Sequence, residues 1–151
     1  MNRYLYIFSV VCFFIISFSC EKGSFAFEVN CAECFASKPD SADIIAYLTF
    51  NDLNDSIPLV FYKEKYQGDP QKDIVEWVDT ATVDKYSDGK YFLSSPVNKY
   101  YSLKATYKTK SGVDVVAVDG DKFVTNHVAD ACDSDCWIVK GGILDVRLKY
   151  E

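Results

Sequence analysis

Between Val97 and Thr109 the side chains alternate with a period of two. Tyr101, Leu103, Ala105 and Tyr107 share one face, and Ser102, Lys104, Thr106 and Lys108 share the other. A helix would repeat every 3.6 residues, so this segment is a strand with one face in a core. A half-buried strand constrains everything around it. Its backbone donors and acceptors need neighbouring strands, and its apolar face needs a second layer over it.

The remainder of the chain supplies both. Strand patterns are expected at 44–50, 59–65, 74–80, 90–95, 113–119, 123–128 and 143–150, with a short WIVKGG stretch before the last. In 44–50, Ile44, Ala46, Leu48 and Phe50 fall on one face. In 74–80, Val75 and Trp77 are expected to point into the core. Turn chemistry separates the runs: NDLNDSIP, QGDPQKD, SDG and Lys110-Ser111-Gly112 carry the Asn, Asp, Gly and Pro that turns require. No segment sustains a helical period, and no internal repeat is visible. The expectation is an all-β, antiparallel β-sandwich of about seven to nine strands. It forms a single domain over 43–151, whose final strand must bury Leu144, Val146 and Leu148.

Ahead of this domain lies MNRYLYIFSVVCFFIISFSC. One basic residue, Arg3, precedes an apolar run from Tyr4 to Phe18. A membrane span needs about 20 such residues, so the run reads as a secretory signal, 1–19, rather than an anchor. Cys20 stands where polarity returns, before Glu-Lys-Gly-Ser, and resembles the lipidated cysteine of bacterial lipoproteins. Ser19 supplies the small residue before the cut, while Phe18 and Ser17 depart from the usual leucine and small residue. The alternative is a plain signal peptide with a free cysteine at the cut. Residues 20–42 are then a lipidated N-terminus and tether. Two or more acyl chains anchor stably, which places the domain in the cell envelope, at the outer membrane, facing the periplasm or the surface.

Composition narrows the partners. The chain has 22 acidic and 16 basic residues, and the signal removes one of the basic ones. Basic residues are scattered singly except around Lys104, Lys108 and Lys110. Nucleic acid is therefore not an expected partner. The expected partners are the membrane, through lipid on Cys20, and an unidentified protein or glycan.

Four cysteines of the mature chain fall in two pairs, Cys31/Cys34 and Cys132/Cys136. Cys-x-x-Cys and Cys-x-x-x-Cys suit structural zinc. Glu33, Asp133 and Asp135, however, would crowd carboxylates around four thiolates. A redox Cys-x-x-Cys opens a helix, and Phe35-Ala-Ser-Lys-Pro does not continue one. Export favours disulfides. Pairing across the two motifs closes loops of about 100 residues and constrains the chain more than local pairing does. The spacing does not choose between 31–136 with 34–132 and 31–132 with 34–136.

The order PLVFYKEK, IVEWVDT, YFLSSPVNKYYSLKATYK, VVAVDGD, CDSDCWIVKGGILDVRL resembles a group of small lipoproteins of Bacteroidetes, and VNKYYSLKATY resembles a strand common in transthyretin-like, prealbumin-type sandwiches. The resemblance implies a prealbumin-like or Ig-like sandwich at the cell envelope and carries no activity. Asp40-Ser41-Ala42, Asp55-Ser56-Ile57 and Asp79-Thr80-Ala81 resemble the O-glycosylation acceptors of that group. Ser41 and Ser56 fall in expected loops, where a transferase reaches them, and Thr80 ends a strand.

Other chemistry is thin. Asp119-Gly120-Asp121 and Asp133-Ser134-Asp135 lack calcium-loop spacing. His127 is the only histidine, and no Gly-x-Ser-x-Gly, P-loop or Gly-x-Gly-x-x-Gly accompanies it. No catalytic residue, metal or cofactor is assigned. The expectation is a non-catalytic binding or accessory module. The alternatives are a structural subunit of an envelope or fimbrial assembly that joins by strand addition and, behind it, a small hydrolase. Tyr62, Tyr66, Tyr86 and Tyr100 are candidates for stacking on a sugar.

Overall fold

The computed structural model describes residues 29–129, 132 and 134–149. The expected signal 1–19, Cys20 and the first part of the expected tether lie outside the described residues. Eight strands follow in chain order: β1 (Ser41–Tyr47), β2 (Ser56–Lys63), β3 (Ile74–Thr82), β4 (Lys90–Pro96), β5 (Lys99–Lys108), β6 (Asp114–Val128), β7 (Cys136–Lys140) and β8 (Ile143–Asp145). They form a five-stranded sheet, β3-β2-β5-β6-β7, and a three-stranded sheet, β4-β1-β8. The fold is the all-β sandwich that the alternation requires.

The inward faces meet in one core. β5 contributes Tyr101, Leu103, Ala105 and Tyr107, as its pattern predicts, and β2 contributes Ile57, Leu59 and Phe61. From the other sheet come Ile44 and Ala46 of β1, Tyr91 of β4 and Leu144 of β8, with Val146 just beyond it. Each large apolar side chain removed from water here contributes about 1.5–3 kcal/mol.

Three features depart from the sequence reading. First, 113–119 and 123–128 are not two strands. β6 runs unbroken through Asp119-Gly120-Asp121, with Gly120 opposite Ser102. A Cβ at position 120 would lie 2.7 Å from Ser102 Oγ and 2.9 Å from the Tyr100 ring. The glycine serves close approach within the sheet rather than a turn.

Second, Val75 and Trp77 are not core residues; they are 51% and 49% exposed. β3 is the sheet's edge, and the three-stranded sheet reaches it near Asp79, where the Tyr91 hydroxyl donates to Asp79 Oδ2 at 2.6 Å. Register also shifts beside Phe61 and Tyr62, so that Trp77 and then Val75 oppose them and Glu76 is the extra residue of a bulge. That shift breaks the alternation on which the core assignment rested.

Third, the last strand is shorter than expected and pairs parallel to β1, whereas the other strand pairs are antiparallel. Beyond Asp145 the chain stays docked: Val146 N–H donates to Tyr47 O, and Leu148 N–H to Thr49 Oγ1.

Candidate functional site

Two regions of the surface stand apart from an ordinary solvated sandwich. The first is where the N-terminal segment meets the C-terminal loop. Asn30 starts a 3₁₀ turn at Cys31–Glu33, its side-chain oxygen accepting from Ala32 N–H at 3.1 Å. Phe35 then pairs with Trp137 through two backbone bonds of 2.8 and 2.9 Å, adding a rung beside β7. Four cysteines bind these pieces covalently as Cys31–Cys132 and Cys34–Cys136, with Cα separations of 5.8 and 5.5 Å. Cross-pairing is therefore present, and the structure selects one of the two connectivities that the sequence left open. A bridge closing a loop of this size contributes about 4–5 kcal/mol in the chain-entropy treatment.

The cysteines line an open cleft of about 510 Å³ together with Ala36, Ser134 and Asp135. The His127 ring packs against Trp137 at a tilt of 59°, with ring centroids 5.0 Å apart, and its Nε2 lies 3.9 Å from Asp135. Lys38 places its ammonium 5.4 Å above the same indole. In strand register His127 opposes Trp137 and Val128 opposes Cys136. The nearest cysteine is thus one residue out of step with the histidine and is held in a disulfide.

The second region is the outer side of the five-stranded sheet and its edges. β3 hydrogen-bonds to β2 alone, so one row of its backbone groups is unpaired within the sheet. Ile74, Val75, Trp77 and Val78 are all about half exposed or more, Val78 at 64%. Natural edge strands usually carry charge or proline to block further pairing. β3 has neither lysine nor proline. Its two charged residues are Glu76, which pairs with Lys63 at 2.7 Å, and Asp79, which accepts from the Tyr91 hydroxyl. Its bulge at Glu76 blunts only the beginning of the strand. Register then carries a row across the sheet: Val78 opposes Val60, Val60 opposes Lys104, and Lys104 opposes Val118. Val116 and Val118 of β6 are also exposed. Lys104 lies along this row with its ammonium 5.8 Å from the Tyr62 ring, so its stem adds to the apolar surface.

The other candidate residues are placed as follows. Ser41 and Ser56 are exposed, but each is the first residue of a strand rather than part of a loop. Thr80 is exposed within β3. Tyr62 is buried and packs on Tyr66, and Tyr86 packs on Tyr91. These rings do not form an exposed stacking platform. Asp119 accepts from Gly120 N–H and, through its other oxygen, from Asp145 N–H at 2.7 Å, which ties β6 to β8.

Two carboxylates of the sandwich are shifted by their partners. Hydrogen bonding from Tyr91 holds the Asp79 carboxyl below its ordinary range, and burial with that same bond pushes the Tyr91 phenol well up. A two-pronged bond from Arg147, at 2.7 and 2.8 Å, lowers Asp145 to about 2.

The exposed strip on β3 was not foreseen. Its signal was present in IVEWV, where apolar residues occupy both faces of one strand, a pattern that fits a covered edge as well as a core. Among the described residues no helix is long and apolar enough to cross a membrane. No protein-family model, curated protein or solved structure matches the chain.

Proposed function

We propose that this chain is a non-catalytic binding module of the bacterial cell envelope, a lipoprotein of the Bacteroidetes type tethered through lipid on Cys20. It engages a protein partner by strand addition at β3. The observation that carries this reading is the nine-residue edge strand with Ile74, Val75, Trp77 and Val78 exposed along it. Strand addition draws affinity from main-chain hydrogen bonds and specificity from alternate side chains. β3 offers both, and the flanking row of valines widens the contact. A protein fits this surface better than a glycan, because Tyr62 is buried and Tyr66 and Tyr86 pack on other tyrosines. The lipoprotein reading is supported by the short apolar run of MNRYLYIFSVVCFFIISFSC and by Cys20 at its polar border.

The test is site-specific photo-crosslinking in cells. A photoreactive residue at Val78 should give a discrete adduct, and one at the exposed hairpin tip, Ser111, should not. Trp77→Lys should remove the adduct without lowering the unfolding midpoint. No adduct at Val78, or one that survives Trp77→Lys, refutes strand addition at β3. An adduct with a second copy of this chain would instead support a structural subunit of an assembly. Ser41 and Ser56 are the proposed glycan acceptors; an intact mass equal to peptide plus lipid alone excludes that modification.

A further inference from the structure

The two disulfides touch. Cys34 Sγ lies 3.5 Å from Cys132 Sγ, although each is bonded to a different cysteine. The sulfurs of Cys34, Cys132 and Cys136 all lie within 4.8 Å of one another. The order is therefore Cys31 bonded to Cys132, Cys132 in contact with Cys34, and Cys34 bonded to Cys136. Access is graded along this line. Cys31 is an exposed residue, Cys34 and Cys132 are half-buried, and Cys136 is 4% exposed. All four cysteines line the open cleft, and the outer bond carries the most exposed of them.

Thiol–disulfide exchange requires a thiolate to reach a disulfide sulfur, and its rate depends on that access. A disulfide protected by burial is normally slow for that reason. Here the less accessible bond has a neighbour already in contact with one of its sulfurs.

We propose that the cluster is a thiol–disulfide exchange centre, in which an external dithiol attacks the outer Cys31–Cys132 bond and Cys132 passes the reduction to the inner Cys34–Cys136 bond. The first thiolate of the dithiol attacks Cys31 Sγ. A mixed disulfide forms, the Cys31–Cys132 bond breaks, and Cys132 leaves as a thiolate. Cys132 then attacks Cys34 Sγ. The Cys34–Cys132 bond forms, the Cys34–Cys136 bond breaks, and Cys136 leaves as a thiolate that takes a proton from water. The second thiol of the dithiol loses its proton and closes on the mixed disulfide, which releases Cys31 as a thiol. The dithiol has given up two electrons and two protons and become a cyclic disulfide. The protein has gained them as thiols at Cys31 and Cys136, with Cys34 and Cys132 now bonded.

This route keeps the N-terminal segment covalently attached throughout, because one bridge from it to Cys132 or Cys136 is intact at every step. It frees Cys31 for a second exchange, with a disulfide-bearing protein as the substrate class. The proposal is independent of partner binding at β3 and goes beyond the non-catalytic reading of the module by adding an exchange activity at its paired cysteine motifs.

The experiment uses the full disulfide-bonded chain. One equivalent of dithiothreitol is added, the reaction is quenched with acid after graded times, and free thiols are alkylated. Cleavage after Glu33, and after Asp133 or Asp135, separates the two cysteines of each motif for mass spectrometry. The expected result is a Cys34–Cys132 cross-link that dominates the species with two alkylated thiols, with Cys31 and Cys136 carrying the alkyl groups. This species should rise before any fully reduced chain. If the singly reduced chain carries only Cys31–Cys132 or only Cys34–Cys136 bonds, or passes to full reduction without the cross-link, the proposal is overturned.

Discussion

Replacing Tyr107 by Phe removes a single oxygen from the centre of the sandwich. The Tyr107 ring is fully buried, and its hydroxyl donates to Val146 O at 2.7 Å and accepts from Thr49 N–H at 3.4 Å. Val146 is also fully buried and hydrogen-bonds to Tyr47 beyond the end of β8. The hydroxyl thus fastens β5 of one sheet to the chain leaving β8 in the other. Phenylalanine keeps the ring and its apolar area, so the cost is that of a buried carbonyl left without this partner, about 1–3 kcal/mol. Urea slopes for a domain of this size are about 1–3 kcal/mol per molar, so the midpoint should fall by about 1 M with the slope unchanged. Unfolding followed by far-ultraviolet circular dichroism, with disulfides intact, measures it. A midpoint within about 0.2 M of the wild type, well inside that expected shift, would refute the role given to this bond.

The same residue gives an alkaline signature. Burial pushes the Tyr107 phenol up to about 12, against an ordinary value of 10. The fold favours the neutral form, so this stabilisation is fully present below pH 10 and is lost as pH rises towards 12. It amounts to about 2–3 kcal/mol. Tyr107→Phe lacks this part of the alkaline loss. The stability gap between wild type and variant should therefore narrow between pH 10 and 12. Burial also pushes Tyr91 and Tyr101 up, so both proteins lose stability in alkali and the difference is what counts. A gap constant from pH 8 to 12 would contradict the assignment.

Two further substitutions probe how the strands are held. Asn54 is buried, donates to Lys108 O at 3.0 Å and accepts from Lys108 N–H at 2.7 Å, so Asn54→Ala should cost about 2–3 kcal/mol; a change under about 0.5 kcal/mol in urea unfolding, the size of an ordinary surface effect, argues against a clamp. Gly120→Ala pushes a methyl against Ser102 Oγ, which is already bonded to Glu64 O and Tyr66 N–H, so calorimetry should show a melting point lower by about 3–10 °C, corresponding to about 1–3 kcal/mol of overpacking; an unchanged melting point would mean that β5 and β6 are less closely apposed than described.

The sequence determined most of the strands. Alternation in Lys99–Lys108 and in Ser41–Tyr47 survives into the structure because each strand has one apolar face in the core and a more polar, mostly half-buried face outside it, the condition under which period two is visible. It also favoured pairing of the cysteine motifs across the chain, on the expected export and the loop lengths, and the structure has that pairing. Where the pattern misled, the cause was tertiary. IVEWV is apolar on both faces, and only its bulge and its place at the sheet's edge decide that Val75 and Trp77 are left outside. Asp-Gly-Asp has the composition of a turn, and only the approach of Ser102 and Tyr100 decides that Gly120 lies inside a long strand. The parallel docking of Ile143–Asp145 on β1 has no local signal, because strand direction is set by partners about 100 residues away. The contact between Cys34 and Cys132 has the same origin: spacing fixes which cysteines are neighbours in the chain, and packing fixes which sulfurs meet.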